Sequence, residues 1–304
     1  MAITAAMVKE LRERTGAGMM DCKKALTETN GDMNAAIDYL REKGLSQAAK
    51  KSGRVAAEGL VAIGFSADGK QGAIIEVNSE TDFVAKNEEF VNMVNGFVQV
   101  VLDNNYTTVD ELLEGKLGDG TVKDELTAKI AKIGENMTIR RFAKFDAADS
   151  VCAGYIHGGG KIGVLVEFAT EAANIDPIKT MGRDVAMQVA SMNPQFVDEK
   201  GVDPEYMEHE KNILMQQALN EGKPAEIVEK MVVGRLKKEL KETCLLEQKF
   251  VKDGDINVAA YVKQISKACG ADVTVKSFVR YEVGEGIEKK VDDLAAEVAK
   301  MTAK

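Results

Sequence analysis

Residues 69–77 read Gly69-Lys70-Gln71-Gly72-Ala73-Ile74-Ile75-Glu76-Val77, and 91 positions later residues 160–168 read Gly160-Lys161-Ile162-Gly163-Val164-Leu165-Val166-Glu167-Phe168. Gly69/Gly160, Lys70/Lys161, Gly72/Gly163 and Glu76/Glu167 coincide. The same offset places Val94 on Val185 and Val98 on Val189, in segments with helical spacing. A second offset, of 136, brings Gly134, Thr138 and Phe142 onto Gly270, Thr274 and Phe278. Self-similarity at a fixed spacing marks a duplicated structural unit. Each copy reads as strand, glycine turn, strand, helix, further helix and closing strand. Glycine turns between alternating apolar runs predict hairpins, and the element order predicts an antiparallel sheet with helices on one face, an α+β core.

The two offsets differ by 45 residues, which locates an insertion in the second copy, and all four prolines (Pro177, Pro194, Pro204, Pro224) lie in or beside it. Pro204–Asn220 and Pro224–Thr243 read as two helices with proline at the first helical position of each, joined by Glu221-Gly222-Lys223. Met207, Leu214, Ile227 and Met231 are the positions expected to pack this hairpin together. Ahead of the core, Thr4 is placed to cap a helix with Met7, Val8 and Leu11 on one face, ending at Thr15-Gly16. A second helix runs from Met19 past Ala25 and Leu26 to Asn30-Gly31. Asp32 then caps a third, with Ala36, Ile37 and Leu40 inward, ending near Gly44. Residues 45–58 read as a helical or extended linker. The resulting division is 1–54 for a three-helix domain and linker, 55–147 for the first repeat and 148–281 for the second. The hairpin falls at about 196–242 within the second repeat, and 282–304 form a carboxy-terminal helix with Ile287, Val291, Leu294, Val298 and Met301 at helical spacing.

Composition narrows the function. With 45% hydrophobic residues over 304 positions, the chain can bury real cores, which removes disordered and fibrous classes. Its 40 basic residues against 49 acidic ones leave a net charge of −9, and aromatics are only 5%. Nucleic-acid binding needs clustered cations and stacking platforms, so it is not expected. The first 54 residues are the exception in sign, at +3. No secretory signal or apolar run long enough to span a bilayer is visible, so no membrane association and a cytoplasmic location are expected. Cys22, Cys152, Cys244 and Cys269 are too far apart for a CxxC site and read as small buried hydrophobes of a reducing compartment.

Two nucleotide-binding look-alikes fail on context. Gly158–Gly163 satisfies GxGxxG, and Gly64-Phe65-Ser66-Ala67-Asp68-Gly69-Lys70 nearly forms a P-loop, with Gln71 where the Mg²⁺-holding hydroxyl should stand. Both lead into strands rather than helices, so each is expected to be a hairpin turn. His209 sits among charged helical positions and His157 at a sheet end; neither belongs to a metal motif. No nucleophile elbow appears. No catalytic residue, metal or cofactor is therefore expected.

Asn78–Asn87 (NSETDFVAKN) stands out. It could be a plain capped strand-to-helix turn, with Ser79 or Thr81 as cap and Phe83 packed inward as a staple. The repeat offers an internal control: where the first copy has Asp82 and Phe83, the second has Ala173 and Asn174. A fold requirement should have kept the pair, so a functional role is favoured.

The segments VKELRERTGAGMMDCKKAL (Val8–Leu26), TDFVAKN (Thr81–Asn87), KIGENMTIRR (Lys132–Arg141), HGGGKIGVLVE (His157–Glu167) and VGEGIEKK (Val283–Lys290) closely resemble the bacterial elongation factor Ts family, across essentially the whole chain. The resemblance implies a ubiquitin-associated-like amino-terminal domain, a duplicated core, an inserted helical hairpin and a carboxy-terminal module. It also implies a function: guanine nucleotide exchange on the translational GTPase elongation factor Tu, without covalent chemistry. In the family, the tip carrying the Asp-Phe pair disturbs the partner's Mg²⁺ site. That carries over to Thr81, Asp82, Phe83 and Val84, with Arg12, Met19, Met20 and His157 as docking residues. Self-association through the hairpin stays open. Two other readings compete: a ubiquitin-associated-like adaptor that binds peptides without exchange activity, and a nucleotide-using α/β enzyme. The adaptor leaves Asp82-Phe83 idle, and the enzyme requires direct nucleotide binding by this chain.

Overall fold

The computed structural model describes residues 3–146, 148–222 and 224–288. They fall into two compact units. One holds the amino-terminal residues through Ala62, Ile75–Phe142 and the segment from Glu282; the other holds Ile63–Ile74 and Ala143–Tyr281.

The amino-terminal helices follow their caps. Helix α1 (Ala5–Thr15) begins where the Thr4 hydroxyl accepts the Met7 N–H at 3.3 Å, and ends at left-handed Gly16. Helix α2 (Met19–Glu28) is followed by a turn through Asn30 and Gly31, both at positive φ. Asp32 accepts the Ala35 N–H at 3.0 Å and opens α3 (Met33–Lys51). Val8, Leu11, Cys22, Ala25, Leu26 and Ala36 form the small core between them.

The first repeat runs through β1 (Glu58–Phe65), β2 (Gly72–Ser79), α4 (Asp82–Ala85), α5 (Glu88–Asp103), α6 (Val109–Leu113), the two-residue strands β3 (Lys116–Leu117) and β4 (Gly120–Thr121), α7 (Val122–Ile133) and β5 (Met137–Phe145). The second runs through β6 (Ser150–His157), β7 (Ile162–Thr170), α8 (Asp176–Met192), α9 (Pro204–Asn220), α10 (Ala225–Thr243), short β8 (Lys249–Phe250), β9 (Asp253–Asn257), α11 (Val258–Cys269) and β10 (Val273–Glu282). The sheet orders are β1-β2-β5 and β10-β7-β6. In each, the second hairpin strand lies in the middle and the closing strand docks beside it. The β6–β7 pair is antiparallel, from Ser150 opposite Ala169 to His157 opposite Ile162. Thr121 caps α7 as Asn257 caps α11, and left-handed Gly134 and Gly270 end those helices. The fold is α+β with a duplicated core.

The duplication extends to buried charge. Glu76, on the middle strand of the first sheet, is fully buried and accepts from Arg140 Nη1 (3.1 Å), Arg141 Nε (2.6 Å), the Gly284 N–H (2.9 Å) and Asn78 Nδ2 (3.2 Å). Its counterpart Glu167 is also buried and accepts from Ser150, Ser277 (2.8 Å) and Lys276 (3.5 Å). A buried carboxylate is tolerable only when paired and hydrogen-bonded, and in both copies the closing strand supplies partners. Both look-alike nucleotide motifs are hairpin turns, as their context predicts. His157 O accepts the N–H groups of Gly160 and Lys161, and Ser66 O accepts that of Gly69. Cys22, Cys152 and Cys244 are buried and Cys269 half-buried, all as free thiols. Burial, aided by Glu167, pushes the Cys152 thiol up to about 12.

Three local expectations need correction. Helix α3 does not end near Gly44 but continues to Lys51, because the Ala-rich stretch after it keeps helical propensity and Gly44 packs closely on α7. Pro224 is the N-cap of α10 rather than its first helical residue. The hairpin seam is carried by Leu214, Ala218, Val228 and Val232, while Ile227 is 51% exposed. One position along a helix rotates a side chain by about 100°, enough to move it off the seam. Met207 packs lower, among Phe196, Tyr206, Leu236, Leu240 and Cys244. The expected carboxy-terminal helix lies, from residue 289 on, outside the described residues. Among those described, no helix is long and apolar enough to cross a membrane.

Two glycines test the packing in opposite directions. A Cβ on Gly44 would meet Thr127 and Ala131 at 3.7 and 3.8 Å, ordinary contact, so Gly44→Ala is expected to stabilise by about 0.5–1 kcal/mol through helix propensity. A Cβ on Gly182 of α8 would lie 2.4 Å from Ala153 Cβ and 2.9 Å from Phe168 Cε2, so Gly182→Ala should destabilise by about 1–3 kcal/mol. Thermal melting of the two variants checks both signs.

Candidate functional site

At the end of β2 the chain leaves the sheet and must turn into α5. It does so through two successive caps. Thr81 is the N-cap of the single-turn α4, its hydroxyl oxygen accepting the Val84 N–H at 3.4 Å. Asn87 then caps α5, accepting the Glu89 N–H at 2.8 Å. Val84 and Ala85 face inward and are buried, so the turn is anchored from below. Phe83, one residue earlier on the same turn, points the other way and is 84% exposed. It is therefore no hydrophobic staple. Asp82, beside it, is ion-paired with Lys86 at 2.7 Å. An exposed phenyl ring on a turn whose next two residues are buried is an apolar surface held in place.

The turn is also held from the side by the segment joining α7 to β5. The Glu135 carboxylate accepts the Thr81 N–H at 3.0 Å and the Thr81 hydroxyl at 2.7 Å. In the opposite direction, Glu80 accepts the Asn136 N–H at 2.6 Å and lies 3.4 Å from Arg54. Asn136, itself buried, donates through Nδ2 to the Arg54 carbonyl at 2.8 Å. Ser79 Oγ donates to the Thr81 carbonyl at 3.0 Å. The carboxylate acceptors Glu80 and Glu135 make their bonds stronger than those between neutral groups. Sequence reasoning missed Glu80, Glu135 and Asn136 as supports of the turn, because Glu135 lies 54 residues from Thr81 and no local pattern links them.

The other expected contact residues are placed as follows. Arg12 is exposed on α1, where its carbonyl accepts the Gly16 N–H that closes the helix. Met19 and Met20 open α2 and are 57% and 75% exposed. These three share the first compact unit with Thr81–Val84. His157 belongs to the second unit, exposed at the end of β6, with the Tyr155 hydroxyl 3.1 Å from its Nδ1. Among the described residues, no cluster of His, Cys, Asp and Glu could hold a metal ion.

Comparison with known proteins gives this arrangement its context. The family model described as Elongation factor TS matches residues 80–285, a span that includes the whole turn and His157. The chain is 57% identical to an elongation factor Ts of Clostridium perfringens over 303 residues, covering 99% of this chain and 100% of that protein. It is 58% identical to one of Clostridioides difficile over 299 residues, 98% of each chain, and 55% identical to one of Clostridium botulinum over 97% of each. The chain belongs to the elongation factor Ts family. Arg12, Met19 and Met20 lie ahead of the span that the elongation factor Ts family model matches, within the region the full-length relatives cover.

The opposite burial of neighbouring side chains generates a test. Phe83→Ala should change stability by no more than about 0.5 kcal/mol, as for an exposed site, whereas Val84→Ala should cost about 1–3 kcal/mol. Urea unfolding of both reads the difference; equal losses would make Phe83 part of the packed core.

Proposed function

We propose that this chain is a guanine nucleotide exchange factor in translation elongation, acting on the GDP-bound GTPase elongation factor Tu. The observation that carries the reading is the exposed Phe83 on a turn pinned by buried Val84 and Ala85. In the GTPase, Mg²⁺ neutralises phosphate charge and helps retain GDP. Phe83 enters the partner as an apolar wedge that shifts the packing supporting the Mg²⁺ site, and Asp82 adds an electrostatic perturbation. Thr81 and Val84 hold the pair in register. Displacing the supports of Mg²⁺ weakens GDP binding without covalent chemistry, so this chain needs no catalytic residue or cofactor of its own.

Docking comes from a wider surface. Arg12 supplies charge, and Met19 and Met20 an adaptable apolar contact suited to a curved protein surface. His157 supplies a contact from the second unit. Binding is reciprocal: a factor that lowers nucleotide affinity is displaced to the same degree when nucleotide rebinds, so entering GTP releases it and nucleotide concentrations set the direction.

The test is release of a fluorescent GDP analogue from elongation factor Tu with excess unlabelled nucleotide present. Substoichiometric amounts of this chain should accelerate release, and Phe83→Ala should lose at least about tenfold of that acceleration, roughly what removing one well-packed interface anchor costs. No acceleration by a folded chain would leave the peptide-binding adaptor as the better account.

A further inference from the structure

Some residues that hold the Asp82-Phe83 turn have no counterpart in the second repeat, and this singles out one of them. The Thr81 hydroxyl has a single proton, and it goes to Glu135 Oε1 at 2.7 Å. That donation fixes the direction of the oxygen lone pairs, leaving one aimed at the Val84 N–H, the bond that starts α4. The second oxygen of Glu135 takes the Thr81 backbone N–H at 3.0 Å. Both hydrogen-bond donors of the cap residue are thus oriented by one side chain. Glu135 sits just after left-handed Gly134, which ends α7, so its backbone is set by a helix terminus rather than by a free loop.

The second repeat shows what happens without it. At the equivalent offsets Thr81 becomes Ala172 and Glu135 becomes Ala271, while Asp82 and Phe83 become Ala173 and Asn174. The second sheet nevertheless forms with the same strand order, its closing helix capped and ended in the same way. Closing the sheet therefore does not require the Thr81–Glu135 pair; the pair occurs only in the copy that carries the exposed phenyl ring.

We propose that Glu135 is a positioning residue for nucleotide exchange: it holds the cap of α4 so that Phe83 is presented in one orientation. This rests on the exchange reading above. An exposed ring on a loose turn would still reach the partner, but it would wedge productively only in a fraction of encounters. Loss of Glu135 therefore acts on the maximal rate of GDP release more than on the concentration of factor needed to reach half of it.

Two measurements test this on the full-length protein. In the first, GDP release is followed at increasing factor concentration. Glu135→Ala should lower the saturating rate roughly tenfold while shifting the half-saturating concentration less than about threefold, with the melting temperature little changed. Thr81→Ala combined with Glu135→Ala should be no slower than the worse single variant, because the two side chains act as one unit. In the second, Phe83→Trp supplies the only tryptophan of a chain that has none. Its fluorescence anisotropy in the free protein should show added fast local motion when Glu135→Ala is introduced. If Glu135→Ala does not fold, Glu135→Gln keeps the length but leaves one acceptor oxygen for two donors. That oxygen goes to the Thr81 N–H, the amide NH2 faces the hydroxyl, and the hydroxyl proton loses its fixed direction. The same changes are then expected at smaller size in both measurements. An unchanged saturating rate, or an unchanged anisotropy decay, overturns the positioning role. Failure of the unmodified chain to accelerate release would overturn the exchange reading instead, and the anisotropy arm would still decide whether Glu135 orders the turn.

Discussion

Each of the two sheets is closed around a buried carboxylate. Glu76 and Glu167 occupy matching places on the middle strands, and each is satisfied by polar side chains of the strand that closes its sheet. The penalty for an unpaired buried charge is several kcal/mol, so the closing strand is held in register by charge as well as by the ladder. In the first copy that registration has a further consequence. It sets Glu135 and Asn136, just before the closing strand, opposite Glu80 and Thr81, just after the middle one. The turn that presents Phe83 is thus built on the sheet's own closure.

The two copies separate what a fold needs from what a site needs. Both have a hairpin with a left-handed glycine turn, a long helix after it, a capped final helix ending at glycine and a buried glutamate. Only the first has the Thr81–Glu135 pair and the Asp82-Phe83 turn. The second instead carries the inserted hairpin, whose seam is a thin line of Leu214, Ala218, Val228 and Val232. A duplicated scaffold lets one copy bear an exposed site while the other keeps the same sheet without it.

Much of this was legible in the sequence because it is local. Thr4, Asp32 and the glycine after α1 act within a few residues, and hydrogen-bonding caps declare themselves by residue type. The repeat was legible because glycine and glutamate at fixed spacing survive where apolar residues interchange freely. What escaped was of two kinds. In α9, Leu214 lies on the seam as expected, but the register of α10 was misjudged by one position, since Ile227 and Val228 are equally apolar and only packing chooses between them. The continuation of α3 past Gly44 depended on α7, a partner distant in sequence. Glu135 escaped for the same reason: an exposed-looking glutamate after a helix has no distinguishing neighbour, and its role comes from a strand end more than fifty residues away. The exposure of Phe83 was the opposite case, since the Ala173-Asn174 pair in the second copy already argued against a packed ring.

The account stands on the idea that an exposed phenyl ring on a pinned turn loosens GDP by disturbing the partner's Mg²⁺ site. The most direct measurement is GDP release from elongation factor Tu, with and without this chain, across free Mg²⁺ concentrations down to full chelation. The factor's acceleration should be large when Mg²⁺ is bound and shrink steeply as Mg²⁺ is removed, because chelation has already done what the wedge does. An acceleration that is the same with and without Mg²⁺ would contradict the account and place the action of Phe83 elsewhere in the nucleotide site.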